Sequence, residues 1–185
     1  TLSLHDALPI LCNKVNYVVR KSLENAVQME YKALTDDMTG AYNKNRLIEL
    51  LNNRERDGQD IAVIYWDVNQ LKYVNDNWGH LCGDRLITEV AKTIQSIARE
   101  EDIVIRYGGD EFLLYVANGT KEIAEQLIEA WKVRLEEEKK RENYEFPVSA
   151  SVGYALGKHS QLKDIIVAAD KDMYANKRIR RESAK

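Results

Sequence analysis

The stretch RYGGDEFLLYV, residues 106–116, places two glycines beside two acids and then runs into an apolar strand-like segment. Because Gly108 and Gly109 have no Cβ, a phosphate could approach the main chain closely there. Asp110 and Glu111 follow at once and could bind a cation or accept a proton. The alternative is an ordinary hairpin turn, in which glycines and exposed acids are frequent.

A further acid, Asp67, stands directly after the apolar run IAVIYW, residues 61–66. If this strand neighbours the one that follows Glu111, the carboxylates converge at one edge of a sheet, where they repel unless a cation lies between them. Oxygen ligands of this kind suit Mg²⁺, which binds one or two carboxylates and completes its shell with water and substrate phosphates. The pattern favours a nucleotide site.

The elements that must position these acids are read from hydrophobic periodicity. Period-two or continuous apolar segments predict strands at 61–68, 102–107, 111–117 and 146–156, whereas helical spacing predicts helices at 15–34, 45–56, 84–100, 121–141 and 162–181. Residues 69–80 are expected to form a helical turn and a loop. The order after the first helices, β, α, β, β, α, β, α, predicts a sheet containing antiparallel strands, with helices mainly on one face.

Length and composition indicate one soluble domain with an appendage. The chain has 185 residues, 44% hydrophobic and 31% charged, with a formal net charge of -3, which argues against general affinity for nucleic acid or anionic membrane. Cys12 and Cys82 show neither disulfide-framework nor zinc-ligand spacing, so a reducing cytoplasm is expected. The longest strongly apolar run has six residues, too short to cross a bilayer. Residues 1–10 fit poorly with the amphipathic helix predicted after them and are expected to be a non-native or disordered extension.

Five sequence blocks together resemble the GGDEF family of diguanylate cyclases. They are DDMTGAYNKNRL, DVNQLKYVNDNWGHLCGDRL, RYGGDEF, VSASVGYA and AADKDMYANK, and they span residues 35–181. The resemblance implies an α/β (α+β) fold, with a sheet like those of nucleotidyl cyclases and polymerase palms and helices packed around it. It implies a cyclase domain over residues 35–185, preceded by a connector helix, residues 11–34, that carries a signal; the alternative is a helix packed on its own domain.

Members of this family condense two GTP molecules into cyclic di-GMP and release two pyrophosphates. The resemblance implies that Asp67, Asp110 and the main-chain carbonyl of Val68 bind metal, with two Mg²⁺ or Mn²⁺ ions per active site. Such ions lower the pKa of the attacking 3′-hydroxyl and neutralise the leaving oxygens. Asp110, and secondarily Glu111, would help to remove the proton.

The resemblance also assigns substrate contacts. Asn75 and Asp84 match a guanine-recognition pair, in which the Asp accepts from the guanine N1 and N2 protons and the Asn amide reads the base edge. Lys72, Lys177 and Arg181 match triphosphate contacts, with Gly108 and Gly109 allowing close approach. Each cation taken singly could be an ordinary surface residue.

Arg99 and Asp102 match an RxxD site at which the product inhibits the family. Three departures stand beside these matches: Asn69 replaces an acid, Leu71 replaces a Phe, and Arg180 replaces a Gly next to the expected contact of Arg181. The departure at Asn69 should weaken the local negative field without removing a ligand.

The leading hypothesis is an active homodimer controlled by an upstream sensor domain in a longer parent chain, because two bound GTP molecules must face each other. A non-catalytic module that binds GTP or cyclic di-GMP as a receptor is the alternative. A polymerase-like enzyme is disfavoured because the sequence shows no basic groove. No nucleic-acid partner and no membrane contact by this fragment are expected, although the parent receptor could be anchored in a membrane.

Overall fold

The computed structural model describes the backbone of residues 4–183 and the side chains of residues 13–179 and 182. The helices are α1 (Leu4–Leu34), α2 (Lys44–Asn52), α3 (Leu71–Trp78), α4 (His80–Ile97), α5 (Lys121–Glu142) and α6 (Leu162–Ser183), and the strands are β1 (Asp60–Val68), β2 (Ile103–Arg106), β3 (Glu111–Ala117) and β4 (Ala150–Lys158). Short 3-10 turns follow α2 (Arg54–Arg56) and β4 (His159–Gln161).

The four strands form one antiparallel sheet in the order β2-β3-β1-β4. β1 lies in the middle, paired with β3 on one side and with β4 on the other. In this register Asp67 lies opposite Glu111, so the end of β1 meets the beginning of β3. The predicted convergence of the acids at one edge of the sheet is therefore confirmed.

Helices cover both faces of the sheet, and the expectation of helices mainly on one face is wrong. Even-numbered residues of β1, such as Ile64 and Trp66, pack in a core with α4 and α5, whereas Val63 and Tyr65 pack in a second core with α2 and α6. The reason lies in β1 itself, because its apolar run is continuous rather than alternating, which is typical of a strand buried on both faces.

α1 projects from the domain. It is helical from Leu4, earlier than the predicted beginning at residue 15, and every described side chain from 13 to 33 is exposed. This exposure fits a connector better than a helix packed on its own domain. The nativeness of residues 1–10 stays a prediction, and the structure of 1–3 lies outside the described residues. None of the described helices combines the length and the hydropathy of a membrane-spanning segment.

Two predicted boundaries differ for local reasons. The segment expected to be a helical turn and a loop contains the two-turn helix α3, which buries Val74 in the core beneath α4. β4 begins at Ala150 rather than at residue 146. Pro147 has no N–H to donate to a strand ladder, which explains the late beginning.

Candidate active site

The three predicted metal ligands lie side by side where β1 ends. Asp67 and Val68 are its last two residues, and the Val68 N–H donates to the Asp110 carbonyl at 2.9 Å. Asp110 is half-buried, and among the described side chains none forms a hydrogen bond or ion pair with its carboxylate. The Asp110 carboxylate is therefore available to a ligand.

Lys177 reaches this edge from α6. Its ammonium group donates to Oδ1 of Asp67, and both side chains are largely buried, at 16% and 20% exposure. Two side chains that the sequence placed 110 positions apart are thus brought into direct contact. α6 can position the cation because Ile165, Ala169 and Met173 anchor the helix on the sheet.

Glu111 is engaged differently from its neighbour. Its Oε1 accepts a hydrogen bond from the Tyr65 hydroxyl at 2.8 Å. Burial, and then this hydrogen bond, raise the pKa of the Tyr65 phenol, so that it remains a donor at neutral pH. The structure therefore separates the two adjacent acids: Glu111 is hydrogen-bonded to Tyr65, whereas the Asp110 carboxylate has no side-chain partner among the described residues.

The glycine turn between β2 and β3 is narrow. The N–H groups of Tyr107 and Gly108 both donate to the Glu111 carbonyl, at 2.8 and 3.2 Å. A Cβ on Gly108 would overlap the Glu111 carboxylate, so a larger residue would displace that side chain. Gly109 is exposed, and an open depression of about 440 Å³ lies against the turn.

The two residues predicted to recognise guanine lie where α3 meets α4. Asn75 is on α3 and Asp84 is in the second turn of α4, exposed to solvent. The Asn75 side chain lies directly over Gly83, where a Cβ would overlap its amide oxygen. Lys72 is exposed on α3, about one turn before Asn75. The side chain of Arg181, predicted to contact the triphosphate, lies outside the described residues, as does that of Arg180.

Sequence reasoning missed Arg106, whose side chain hydrogen-bonds to the glycine turn. Its guanidinium donates to both carboxylate oxygens of Asp36, at 3.0 and 3.1 Å, and to the Gly109 carbonyl at 2.7 Å. Both residues stand in blocks that carry the family resemblance, but nothing in the sequence pairs them. Their contact follows only from the fold.

Asn69, which replaces an acid of the family, has a structural role. Its side chain accepts from the Ser151 hydroxyl at 2.9 Å and donates to the Ser149 hydroxyl at 3.3 Å, and its N–H donates to the Ser149 carbonyl at 2.8 Å. These bonds fasten the chain after β1 to β4. A second departure, Leu71, packs against the core on the α4 side.

Arg99 and Asp102 are paired with each other. The Asp102 side chain is fully buried and accepts from Arg99 Nη2 at 2.7 Å, from Arg99 Nε at 2.9 Å and from the Ala117 N–H at 3.3 Å. Arg99 keeps 32% of its side chain exposed. In this arrangement Arg99 can reach a ligand, whereas Asp102 serves to hold Arg99.

The donor set fits a hard divalent ion completed by substrate oxygens. The described residues contain no group of three or more His, Cys, Asp and Glu side chains arranged around one point. Two carboxylates and one carbonyl match Mg²⁺, which takes few protein ligands at phosphate sites. The ammonium group of Lys177 on Asp67 shows that this edge attracts positive charge.

The fold and the acidic edge define an α+β domain of the nucleotidyl-cyclase and polymerase-palm type. Residues 33–183 match the family model for "Diguanylate cyclase, GGDEF domain". The chain belongs to the GGDEF domain family of diguanylate cyclases, as the sequence resemblance predicted.

Individual relatives agree with this assignment. The probable diguanylate cyclase DgcJ of Escherichia coli is 34% identical over 167 residues, which cover 84% of this chain and 33% of that protein. The cyclic di-GMP phosphodiesterase PdeR of the same organism is 34% identical, over 78% of this chain and 22% of that protein. The chain therefore spans a third or less of the length of these two relatives.

A solved structure of the coiled coil and GGDEF domain of DgcB from Caulobacter crescentus, in complex with c-di-GMP, superposes with a TM-score of 0.76. It is 26% identical and covers 93% of this chain and 95% of that one. The match thus extends beyond the globular domain into α1.

Proposed function

We propose that this chain is an active diguanylate cyclase, which condenses two GTP molecules into cyclic di-GMP with release of two pyrophosphates. The observation that carries the proposal is the edge of the sheet at which Asp67, Val68 and Asp110 adjoin, with the Asp110 carboxylate free of side-chain partners among the described residues. A carboxylate without a side-chain partner, beside a second acid and a carbonyl, can bind a divalent ion and accept a proton.

Asp67, Asp110 and the Val68 carbonyl would hold Mg²⁺ or Mn²⁺, two ions per site. When bound, such ions lower the pKa of the attacking hydroxyl and neutralise leaving oxygens. Asp110 accepts the proton of the ribose 3′-hydroxyl as the new bond to the α-phosphorus forms and pyrophosphate leaves. Glu111, hydrogen-bonded to Tyr65, adds negative charge near the metal site and so favours the bound cations.

The remaining residues bind the substrate. Lys177 and Lys72 neutralise the triphosphate, which an acidic domain can do only with locally placed cations. Asn75 and Asp84 read guanine, because adenine lacks the N1 and N2 donors that a carboxylate accepts. GTP is therefore selected over ATP.

The proposed reaction needs two copies of the chain, because each copy has one guanine site, formed by Asn75 and Asp84, and the product contains two guanines. The exposed α1 supports pairing, since Val15, Val19, Leu23 and Val27 present apolar side chains that are 52 to 65% exposed. A sensor domain elsewhere in the parent protein would control the pair through α1. We place the reaction in the cytoplasm, where GTP is available.

Product inhibition is proposed at Arg99, whose guanidinium is held by Asp102 and remains partly exposed. A planar guanidinium can stack on guanine or pair with a phosphate. Cyclic di-GMP bound there would slow turnover from outside the catalytic edge.

A non-catalytic receptor for GTP or cyclic di-GMP is the second candidate. One observation favours it: a relative of comparable identity is named a phosphodiesterase, so this domain also occurs in proteins named for the opposite activity. In a receptor, nucleotide would bind without product being formed.

The test is to incubate the purified chain at high concentration with GTP and Mg²⁺ and to measure cyclic di-GMP and pyrophosphate by chromatography. Asp110→Asn, which preserves shape and removes charge, is the active-site variant, and Asp60→Asn, at the opposite end of β1, is its matched control. Product from wild type and the control, but not from Asp110→Asn, supports the cyclase. If no product forms even when a dimerising fusion is attached to α1, while nucleotide still binds, the receptor is supported instead.

A further inference from the structure

The junction between α1 and the domain is tightly bonded. The side-chain amide of Asn43 donates to the carbonyls of Ala33 and Thr35, both at 3.0 Å, and that of Asn45 donates to the Ala33 carbonyl at 3.0 Å. The Asn43 N–H donates to the Leu34 carbonyl at 2.7 Å. Because carbonyls at a helix end lack partners within the helix, these bonds fix the last turn of α1 to the start of α2.

Asp36 lies directly after this fixed end and is itself held in place. Its Oδ1 accepts from the Thr39 N–H at 3.0 Å and from the Thr39 hydroxyl at 2.7 Å, and its own N–H donates to the Ala41 carbonyl at 2.8 Å. Partial burial opposes ionisation, but the hydrogen bonds from Thr39 and Arg106 lower the pKa of Asp36 overall. The Asp36 carboxylate is thus ionised and fixed in orientation, and it lies at the end of α1.

Arg106 joins this carboxylate to the glycine turn. Its Nη1 meets both oxygens of Asp36, while its Nη2 and Nε donate to the Gly109 carbonyl at 2.7 and 3.3 Å, and only 13% of its side chain is exposed. The Gly109 carbonyl belongs to the peptide group that joins Gly109 to Asp110. The arrangement needs a planar fork of donors, which a lysine does not have.

We infer that Arg106 is a positioning residue, which sets the turn bearing Asp110 against the end of α1. The catalytic consequence of this inference rests on the proposed function, whereas its structural part is independent of that function. A displacement of α1 would move Asp36, and Arg106 would pass that movement to Gly109 and hence to the acid that binds metal. The same link would carry a sensor's input to the catalytic edge.

The structural part is tested by hydrogen exchange on the protein without nucleotide or metal. Arg106→Lys keeps the charge and loses the fork, and Asp36→Asn keeps the shape and loses the charge. Both variants should exchange the amides of Tyr107, Gly108 and Val68 about tenfold faster, the effect of losing one hydrogen bond. Asp60→Asn, which removes an exposed ion pair with Lys158 at the far end of β1, should leave these amides unchanged.

The catalytic part is tested by Mg²⁺ titration of cyclic di-GMP formation. In both variants the Mg²⁺ concentration for half-maximal rate should rise by about tenfold. The KM for GTP at saturating Mg²⁺ should change less than about twofold, because the residues that recognise guanine lie on α3 and α4, away from the turn. Unchanged exchange at the turn, acceleration spread evenly over the whole sheet, or an unaltered Mg²⁺ requirement would each overturn the inference. If the wild type is inactive, but the faster amide exchange of the two variants is confined to the turn, the proposed function is refuted and the positioning role stands.

Discussion

Replacing Gly83 by alanine should impair recognition of guanine without unfolding the domain. A Cβ at this position would overlap the Asn75 amide oxygen, and it would come within 2.9 Å of Asn75 Cγ and 3.2 Å of Leu71 Cδ1. All three atoms belong to side chains, so the Asn75 amide turns away while the backbone stays. Gly83 lies inside α4, where alanine is favoured over glycine by about 0.5 to 1 kcal/mol.

The two effects act on different measurements. Turning Asn75 out of its preferred rotamer costs about 0.5 to 1.5 kcal/mol, which the helical gain largely offsets, so the free energy of unfolding should change by less than about 1 kcal/mol. Losing one hydrogen bond to guanine costs about 1 to 1.5 kcal/mol, so kcat/KM for GTP should fall about tenfold.

Denaturant unfolding and initial rates of pyrophosphate release measure the two quantities. Gly58→Ala is the matched control, since no atom lies within 4 Å of a Cβ built there and the main chain is not in the left-handed region. It should leave kcat/KM unchanged. The reasoning is refuted if Gly83→Ala folds normally and reads GTP as well as wild type, or if it loses several kcal/mol of stability, which would mean that the backbone has moved.

Three further perturbations address the hydroxyl, the cation and the product site. The raised pKa of Tyr65 means that its protonated phenol stabilises the fold below about pH 10, and that this stabilisation is lost as pH rises further. Tyr65→Phe should therefore cost about 1 kcal/mol near pH 7 and show a shallower alkaline decline in urea unfolding; identical pH curves would contradict the assigned bond to Glu111. Lys177→Met should raise KM for GTP about tenfold or more by removing a charge-assisted contact, and an unchanged KM would remove it from the triphosphate site. Arg99→Ala should raise the half-inhibitory concentration of cyclic di-GMP at least tenfold, and should also lower stability by about 1.5 to 3 kcal/mol because it removes charge-assisted hydrogen bonds from the buried Asp102, as thermal unfolding would show. Unaltered inhibition in the folded variant would exclude the product site.

The sequence predicted those parts of the fold that depend on local pattern. Strand β3 and the beginnings of α5 and α6 agree with their periodicity, and the turn before Asp110 was recognisable from its glycines. The placement of Asp67 beside that turn could be foreseen because both stand at strand ends. α3 was predicted only as a helical turn, because its eight residues have a single fully buried side chain, Val74, whose partners lie on other elements.

Contacts between distant segments could not be predicted in this way. Nothing in the charges of Arg106 and Asp36 singles them out among the 57 charged residues of the chain, 27 basic and 30 acidic. The bond from Tyr65 to Glu111 likewise depends on the register of β1 against β3. Asn69 was judged by its lost charge, whereas its role is set by two serines about 80 positions away.

The register of β1 determines how the acids divide their roles. Residues directly opposite on antiparallel strands project from the same face of the sheet, and so do residues two apart on one strand. Asp67 and Glu111 therefore both face α6, together with Tyr65, and there they meet the Lys177 ammonium group and the Tyr65 hydroxyl. Asp110 precedes β3 and stands in the turn, beyond the last paired residue, so neither partner reaches it. A shift of one residue that paired Asp110 with Asp67 would place Asp110 against α6 and would turn Glu111 to the other face of the sheet, opposite Trp66. The register of the strand that builds both cores thus also decides which acid lacks a side-chain partner among the described residues.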